Sequence, residues 1–288
     1  MSRSEALGTV HEMSLPAGRI RYRERGQGPP VLFVHGLLAN ADLWRAVVPP
    51  VAEAGSRCIA PDWPLGAHEL PVPRADLSPP GVAALLAAFL ERLDLDDVTI
   101  VANDTGGAIT QILMTQHPER VGRVVLTPSD SLERFFPPVF APLSTLARIP
   151  GSMWLLAQLL RVRALHRLPF TFGWLAKRPI PPDILDSYLL PSRRDAAVRR
   201  DLRRFLRGVH HRHTLAAAKA LPRFTKPVLL AWATEDRLFP LGLAHRLANL
   251  LPHSTLVTIA DSYTFVPEDQ PELLARLVVE FAPTHATT

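Results

Sequence analysis

The 288-residue chain has a single cysteine, Cys58. A lone thiol excludes an internal disulfide, and no paired-cysteine spacing of the zinc-binding kind exists. Cys58 lies in the apolar run Arg57-Cys58-Ile59-Ala60 and reads as a small buried hydrophobe. Long hydrophobic runs are also missing. The most apolar stretch, Gly81 to Leu90, is too short to span a bilayer and passes into Glu91 and Arg92. The opening Met1-Ser2-Arg3-Ser4-Glu5-Ala6-Leu7-Gly8 lacks the apolar core of a secretion signal. Internal repeats and low-complexity tracts are absent. A soluble cytoplasmic protein is expected, with no metal and no cofactor.

What is present fits a packed globular chain: 47% of residues are hydrophobic and 20% charged. The length suits one large domain, or a domain with an insertion. The net charge of +5 hides a division. Residues 145–226 carry 14 Arg and 3 Lys against 4 Asp, a balance of +13, and the remainder carries −8. A basic segment steers anions, but solvated helix faces are the simpler reading. No nucleic-acid-binding motif accompanies the charge. The expected partner is a small molecule, with neither nucleic acid nor membrane, and the chain is expected to be a monomer or homodimer.

Short apolar runs alternate with helical periodicities. Thr9 to Leu15 and Ile20 to Arg25 predict an antiparallel hairpin around Ala17-Gly18. Pro30 to Val34 reads as a strand buried on both faces, Ala41 to Ala54 as a helix, and Ser56 to Ala60 as the next strand. Ser78, with proline close behind, caps a long helix reaching Leu93. Val98 to Ala102 and Arg123 to Leu126 continue the strands. The pattern then stops. From Ser131 to Ala218 the chain is rich in proline and arginine, with helices expected over Trp154 to Arg163, Pro182 to Leu190 and Arg194 to Leu206. Alternation resumes with a strand in Lys226 to Trp232, a helix over Leu241 to Leu251, a strand over Thr255 to Ala260 and a helix over Gln270 to Phe281. The tail beyond Pro283 is expected to fray. This order predicts an α/β fold with a doubly wound, mostly parallel sheet and a helical insertion over its carboxyl edge. The domains are then 1–130 for the first part of the core, 131–218 for a helical cap and 219–288 for the rest of the core.

The chain is organised around Val98-Thr99-Ile100-Val101-Ala102-Asn103-Asp104-Thr105-Gly106-Gly107-Ala108. A β-branched run enters a turn, and small residues lead into a helix. Ala102-x-Asp104-x-Gly106 stands where a G-x-S-x-G turn would project a nucleophile from the top of a sheet. An Asp before a helix is also an ordinary N-cap.

With these pieces in order, the chain resembles the α/β-hydrolase superfamily, and within it the aspartate-nucleophile branch of haloalkane dehalogenases and epoxide hydrolases. The pieces that match are His35-Gly36, Asp62 with Gly66, the Asp104 turn, Asp236 and the closing Asp261 to Pro271 segment. The resemblance implies that Asp104 attacks an electrophilic carbon and that backbone N–H groups of Leu37 and Thr105 form an oxyanion site beside His35. It places Asp236 as the acid that orients a catalytic histidine, with Asp130 as second choice and Asp62 as structural. The family's closing Asp-x-Gly-His-Phe here reads Asp261-Ser262-Tyr263-Thr264-Phe265, so Thr264 holds the place of the histidine. A threonine hydroxyl is not a base near neutral pH.

Two further departures bear on substrate. Dehalogenases of this family hold halide with side-chain N–H donors after His-Gly and after the nucleophile. Leu37 and Thr105 supply none, which argues against dehalogenation. Epoxide hydrolases use cap tyrosines, and the cap segment has only Tyr188, with Tyr263 reaching the pocket from the closing loop. Among the histidines, His68 is a candidate replacement base. The His210-His211-x-His213 cluster is a weaker one, His117 reads as a cap at a helix end, and His245, His253 and His285 fall on outer elements. A pocket lined by Phe135, Phe136, Trp154, Phe172 and Trp174 is expected. The expectation is a cofactor-independent hydrolase acting through Asp104 on a small, largely apolar ester, lactone or epoxide. The alternatives are a lyase, isomerase or cyclase using Asp104 as acid or base, and a catalytically silent binding protein.

Overall fold

The computed structural model describes residues 5–283. Residues 1–4 and the tail after Pro283, with His285, lie outside the described residues. The strands are β1 Thr9–Leu15, β2 Gly18–Arg25, β3 Pro30–Val34, β4 Arg57–Pro61, β5 Val98–Ala102, β6 Val121–Leu126, β7 Val228–Ala233 and β8 Ser254–Ile259. They form one eight-stranded sheet in the order β1-β2-β4-β3-β5-β6-β7-β8. β2 pairs antiparallel with β1 and β4, and every other pairing is parallel. All residues of β5 and β7 are buried, the continuous apolar pattern that a strand covered on both faces requires.

The helices are α1 Val48–Glu53, α2 Pro79–Arg92, α3 Thr105–Gln116, α4 Pro142–Leu146, α5 Ser152–Leu159, α6 Pro182–Arg194, α7 Ala196–Gly208, α8 His211–Ala220, α9 Leu241–Leu250, α10 Val266–Asp269 and α11 Pro271–Phe281. Ser78 caps α2 by accepting from Gly81 N at 3.2 Å. α2 packs on α3, α3 on α8, and α1 on α11. The expected doubly wound α/β architecture is present. Because β3, β5, β6, β7 and β8 run parallel, the turns that follow them open at one edge, where such sheets place ligands.

Two expected helices differ. Ala41 to Ala54 is not one helix but a 3₁₀ turn, Ala41–Trp44, followed by α1. Pro49 and Pro50 lie in the first turn of α1, where their missing N–H groups cost nothing. Further along, Trp154 to Arg163 shortens to α5, and Arg163–Arg167 forms a 3₁₀ turn. Between β6 and β7 the chain is helical with no strand among the described residues. Residue 218 falls inside α8, which packs against α3.

Candidate active site

The turn between β5 and α3 forces Asp104 into a strained backbone conformation, φ 54° and ψ −131°. Its carboxylate makes no cap bond to α3, so the N-cap alternative is not what the turn is built for. The side chain instead crosses to the β3 turn, where Oδ2 accepts from Leu37 N at 3.2 Å. Two glycines permit that crossing. A Cβ on Gly36 would run into Asp104 Oδ2, and one on Gly106 would meet the carbonyl oxygens of Val34 and His35.

Asp104 lies at the floor of a cleft whose empty volume, counted out to its open mouth, is about 890 Å³. Leu37, Leu38 and Thr105 line it from the sheet side, and Phe136, Phe140, Leu156, Leu160, Phe170 and Phe172 are among the lining residues from the segment between β6 and β7. Of the lining side chains only Asp104, Thr105 and Thr171 are polar, and none carries an N–H donor. Burial pushes the Asp104 carboxyl up to about 6, and the backbone N–H groups of Thr105 and Leu37 pull against it.

Two more carboxylates stand behind this floor. Asp130, after β6, accepts from Thr105 Oγ1 at 2.9 Å. Burial and then the nearby charge of Asp104 hold it well above the usual carboxylate range. Asp236, after β7, accepts from Leu238 N at 2.7 Å and Phe239 N at 2.6 Å, both on Oδ1. Burial drives its pKa up to about 7, with Asp104 adding to the rise. The Thr264 hydroxyl lies near enough to temper that rise, yet Thr264 Oγ1 and Asp236 Oδ2 each lack a partner within 3.5 Å. Their contact is therefore a loose one.

Asn103 joins the parts and has no signal in the sequence. Its Nδ2 donates to Thr264 O at 2.7 Å and to Thr127 Oγ1 at 2.7 Å, tying the closing loop and the β6 turn to the Asp104 turn. His35 is buried as a strut. Its Nε2 accepts from Trp63 N at 2.8 Å, so Nδ1 carries the proton, directed at Gly36 O at 2.9 Å. Asp62 accepts from Ala41 N at 3.0 Å, also a structural role.

Several expected site residues point elsewhere. His68 does not line the cleft. Its Nε2 faces Asp201 Oδ2 of α7 at 3.3 Å, and Asp201 also accepts from Val72 N at 2.8 Å. The pair fastens the β4 loop to α7 and keeps the His68 ring outside the cleft lining. Tyr188 is fully buried, and its hydroxyl donates to Glu268 Oε1 at 3.1 Å, a carboxylate already paired with Arg45. Tyr263 lies under the Arg237 guanidinium, 4.7 Å from the ring centroid. Neither tyrosine lines the cleft. Of the aromatic residues expected there, Phe136 and Phe172 are present, Phe135 is buried in the core, Trp174 packs against that core, and Trp154 is 54% exposed. His210 caps α8 through Arg212 N, and its ring lies 4.3 Å from that of His211. Among the described residues no group of three or more His, Cys, Asp or Glu is arranged to hold a metal.

Residues 29–162 match a family profile described as alpha/beta hydrolase fold. The uncharacterised hydrolase YugF of Bacillus subtilis is 27% identical, over 96% of this chain and 99% of its own. Haloalkane dehalogenase 2 of Mycobacterium tuberculosis is 27% identical, over 91% of each chain. Among solved structures, the epoxide hydrolase CorEH superposes with a TM-score of 0.80 at 18% identity, covering 95% of this chain and 98% of its own.

Proposed function

Because this chain has the α/β-hydrolase fold, with its turn after β5 aimed into a cleft, we propose that it is a hydrolase in which Asp104 attacks a small, largely apolar molecule. The observation that carries the reading is the lone carboxylate at the floor of a cleft whose other lining side chains, Thr105 and Thr171 apart, are apolar, with Oδ2 anchored on Leu37 N. The segment between β6 and β7 serves as the cap, since it supplies most of the opposite wall.

The anchoring favours attack at a saturated carbon over attack at a carbonyl. Leu37 N–H is already committed to a carboxylate oxygen of Asp104 itself. In the first step the other oxygen bonds to carbon, and the carbon–oxygen bond of the substrate breaks with its electron pair on the leaving oxygen. In the second step water adds to Asp104 Cγ. Negative charge then develops on the oxygen held by Leu37 N–H; as it collapses, the bond from Asp104 Cγ to the oxygen carrying the alkyl group breaks, and that oxygen leaves as the alcohol, taking up the proton that the water gave up.

The lining narrows the leaving group. A halide finds no side-chain N–H in the cleft, and an epoxide oxygen finds only the Thr105 and Thr171 hydroxyls. A lactone or ester opened at its alkyl carbon leaves as a carboxylate and needs no proton donor, so it fits this lining best. With no imidazole at position 264, this reading assigns the proton of the attacking water to Asp236, which stands behind the cleft floor rather than in its lining and whose pKa of about 7 suits a base near neutrality.

The test is Asp104→Asn against a panel of lactones, alkyl esters and epoxides. Loss of turnover, and a covalent adduct on intact parent protein that the variant lacks, support the reading. Full activity in the variant overturns it.

A second reading rests on Asp104 and Asp236 both having pKa values raised toward neutrality, to about 6 and about 7. Such a pair suits proton transfer in a lyase, isomerase or cyclase. Turnover in labelled water separates the two, since only the hydrolase puts solvent oxygen into product.

A further inference from the structure

The surface around the mouth of the cleft has a composition found nowhere else among the described residues. Among the described residues, the large apolar side chains that stand exposed all lie between Leu146 and Phe170, apart from Val10. Trp154 is 54% exposed, Leu155 53%, Ile149 53% and Phe170 56%. Leu155 and Leu159 lie one helical turn apart on α5 and face outward, while Leu156 and Leu160 on the adjoining face line the cleft. Leu159 and Phe170 do both, being half exposed and part of the lining. The apolar surface therefore runs without a break from the outside to the cleft that holds Asp104.

The charge of this face has one sign. From Arg134 to Pro182 there is no Asp or Glu, and there are seven Arg or Lys. Lys177 and Arg178 are paired with Asp261, and Arg163 reaches Asp186. Arg148, Arg161 and Arg167 stand exposed and form no ion pair among the described residues. Patches this apolar are uncommon on a surface that faces only water. Arginines set beside Trp, Phe and Leu match a bilayer interface, where the rings and aliphatic chains enter the headgroup boundary and the cations meet anionic headgroups. A second copy of the chain fits poorly, because the same face would meet it with the same positive charge.

We propose that the face formed by α4, α5 and the chain to Phe170 docks on an anionic lipid surface, from which an apolar molecule passes into the cleft. This revises the expectation that no membrane is involved. That expectation rested on the lack of a spanning segment, and none of the described helices is long and apolar enough to cross a membrane. Docking from outside needs no span. The docking also does not depend on the chemistry assigned to Asp104.

The test is flotation of the full chain with phosphatidylcholine vesicles, with and without equimolar phosphatidylglycerol, while Trp154 fluorescence is followed. Expected are co-flotation with the phosphatidylglycerol vesicles, a blue shift that Trp154→Phe removes, and weakening by salt. Replacing Arg148, Arg161 and Arg167 with Glu should weaken partition by about fivefold or more per arginine. Ile149→Ser with Trp154→Ser and Leu155→Ser should abolish it while thermal unfolding stays cooperative. Asp104→Asn should float like the parent, so a failure of the proposed chemistry would not touch this result. Three results overturn the proposal: no co-flotation, equal flotation with neutral vesicles, or a stable dimer that the triple Ser variant dissociates with no lipid binding by either.

Discussion

Thr264 stands beside Asp236 with two buried oxygens between them unpaired, Thr264 Oγ1 and Asp236 Oδ2. A buried polar atom without a partner is costly, on the order of 1–3 kcal/mol. Such cost is tolerated most readily where chemistry needs the group. Here the carboxylate is fixed by Leu238 N and Phe239 N on one oxygen, leaving the other free toward Thr264.

Thr264→His should therefore put an imidazole against Asp236 and speed the second, water-dependent step. General-base assistance is typically worth ~10²–10⁴-fold. Burst kinetics and the adduct on intact protein check this. The adduct should accumulate in the parent and clear quickly in the variant. An unchanged steady-state rate would mean that the second step does not limit turnover.

Gly36→Ala should cripple the site more than the fold. The new Cβ would occupy the position of Asp104 Oδ2, so the carboxylate must leave Leu37 N. Overpacking of this kind costs about 1–3 kcal/mol. Thermal unfolding should show that modest loss, while activity should fall nearly as far as in Asp104→Asn.

The pH dependence has a fixed sign. The carboxyls of Asp104 and Asp236 are raised, to about 6 and about 7. A raised acid contributes stability that is full below its unfolded value near 4 and is lost as pH rises through the folded value. The melting temperature should thus fall between pH 4 and 7 from these groups. Asp104→Asn should remove part of the fall, raising stability at pH 8 by roughly 1–3 kcal/mol. Activity runs the other way for the hydrolase, rising through about 6 and 7 as both carboxyls ionise. A bell with loss above 7 would instead favour the reading in which Asp236 donates a proton.

His68→Ala should leave the rate unchanged and lower stability. Its imidazole serves Asp201, a buried side chain of α7. Removing that partner should cost on the order of 1–3 kcal/mol, read by denaturant titration. A large drop in kcat with unaltered stability would return His68 to the chemistry.

The fold was legible because its signals are local. β3, β5 and β7 are continuous apolar runs, and each begins and ends within two residues of its expected bounds. Ser78 with the proline behind it marked the start of α2, and Ala102-x-Asp104-x-Gly106 marked the turn, since strand, bend and small residues are neighbours in the chain. The split of Ala41 to Ala54 was legible in principle from Pro49-Pro50, which a helix accepts only in its first turn.

The sequence by itself determined the sheet, the bend that carries Asp104 and the threonine at position 264, because each follows from residue type and spacing along a few neighbouring positions. Tertiary structure alone decided which side chains share the cleft. His68 and Tyr188 were reasonable candidates until Asp201, 133 residues from the first, and Glu268, 80 from the second, claimed their polar atoms. Asn103 meets Thr264 across 161 residues, and Trp154 faces outward because of how α5 is seated. Where a loop side chain points is set by partners brought from distant parts of the chain, and no local spacing encodes them.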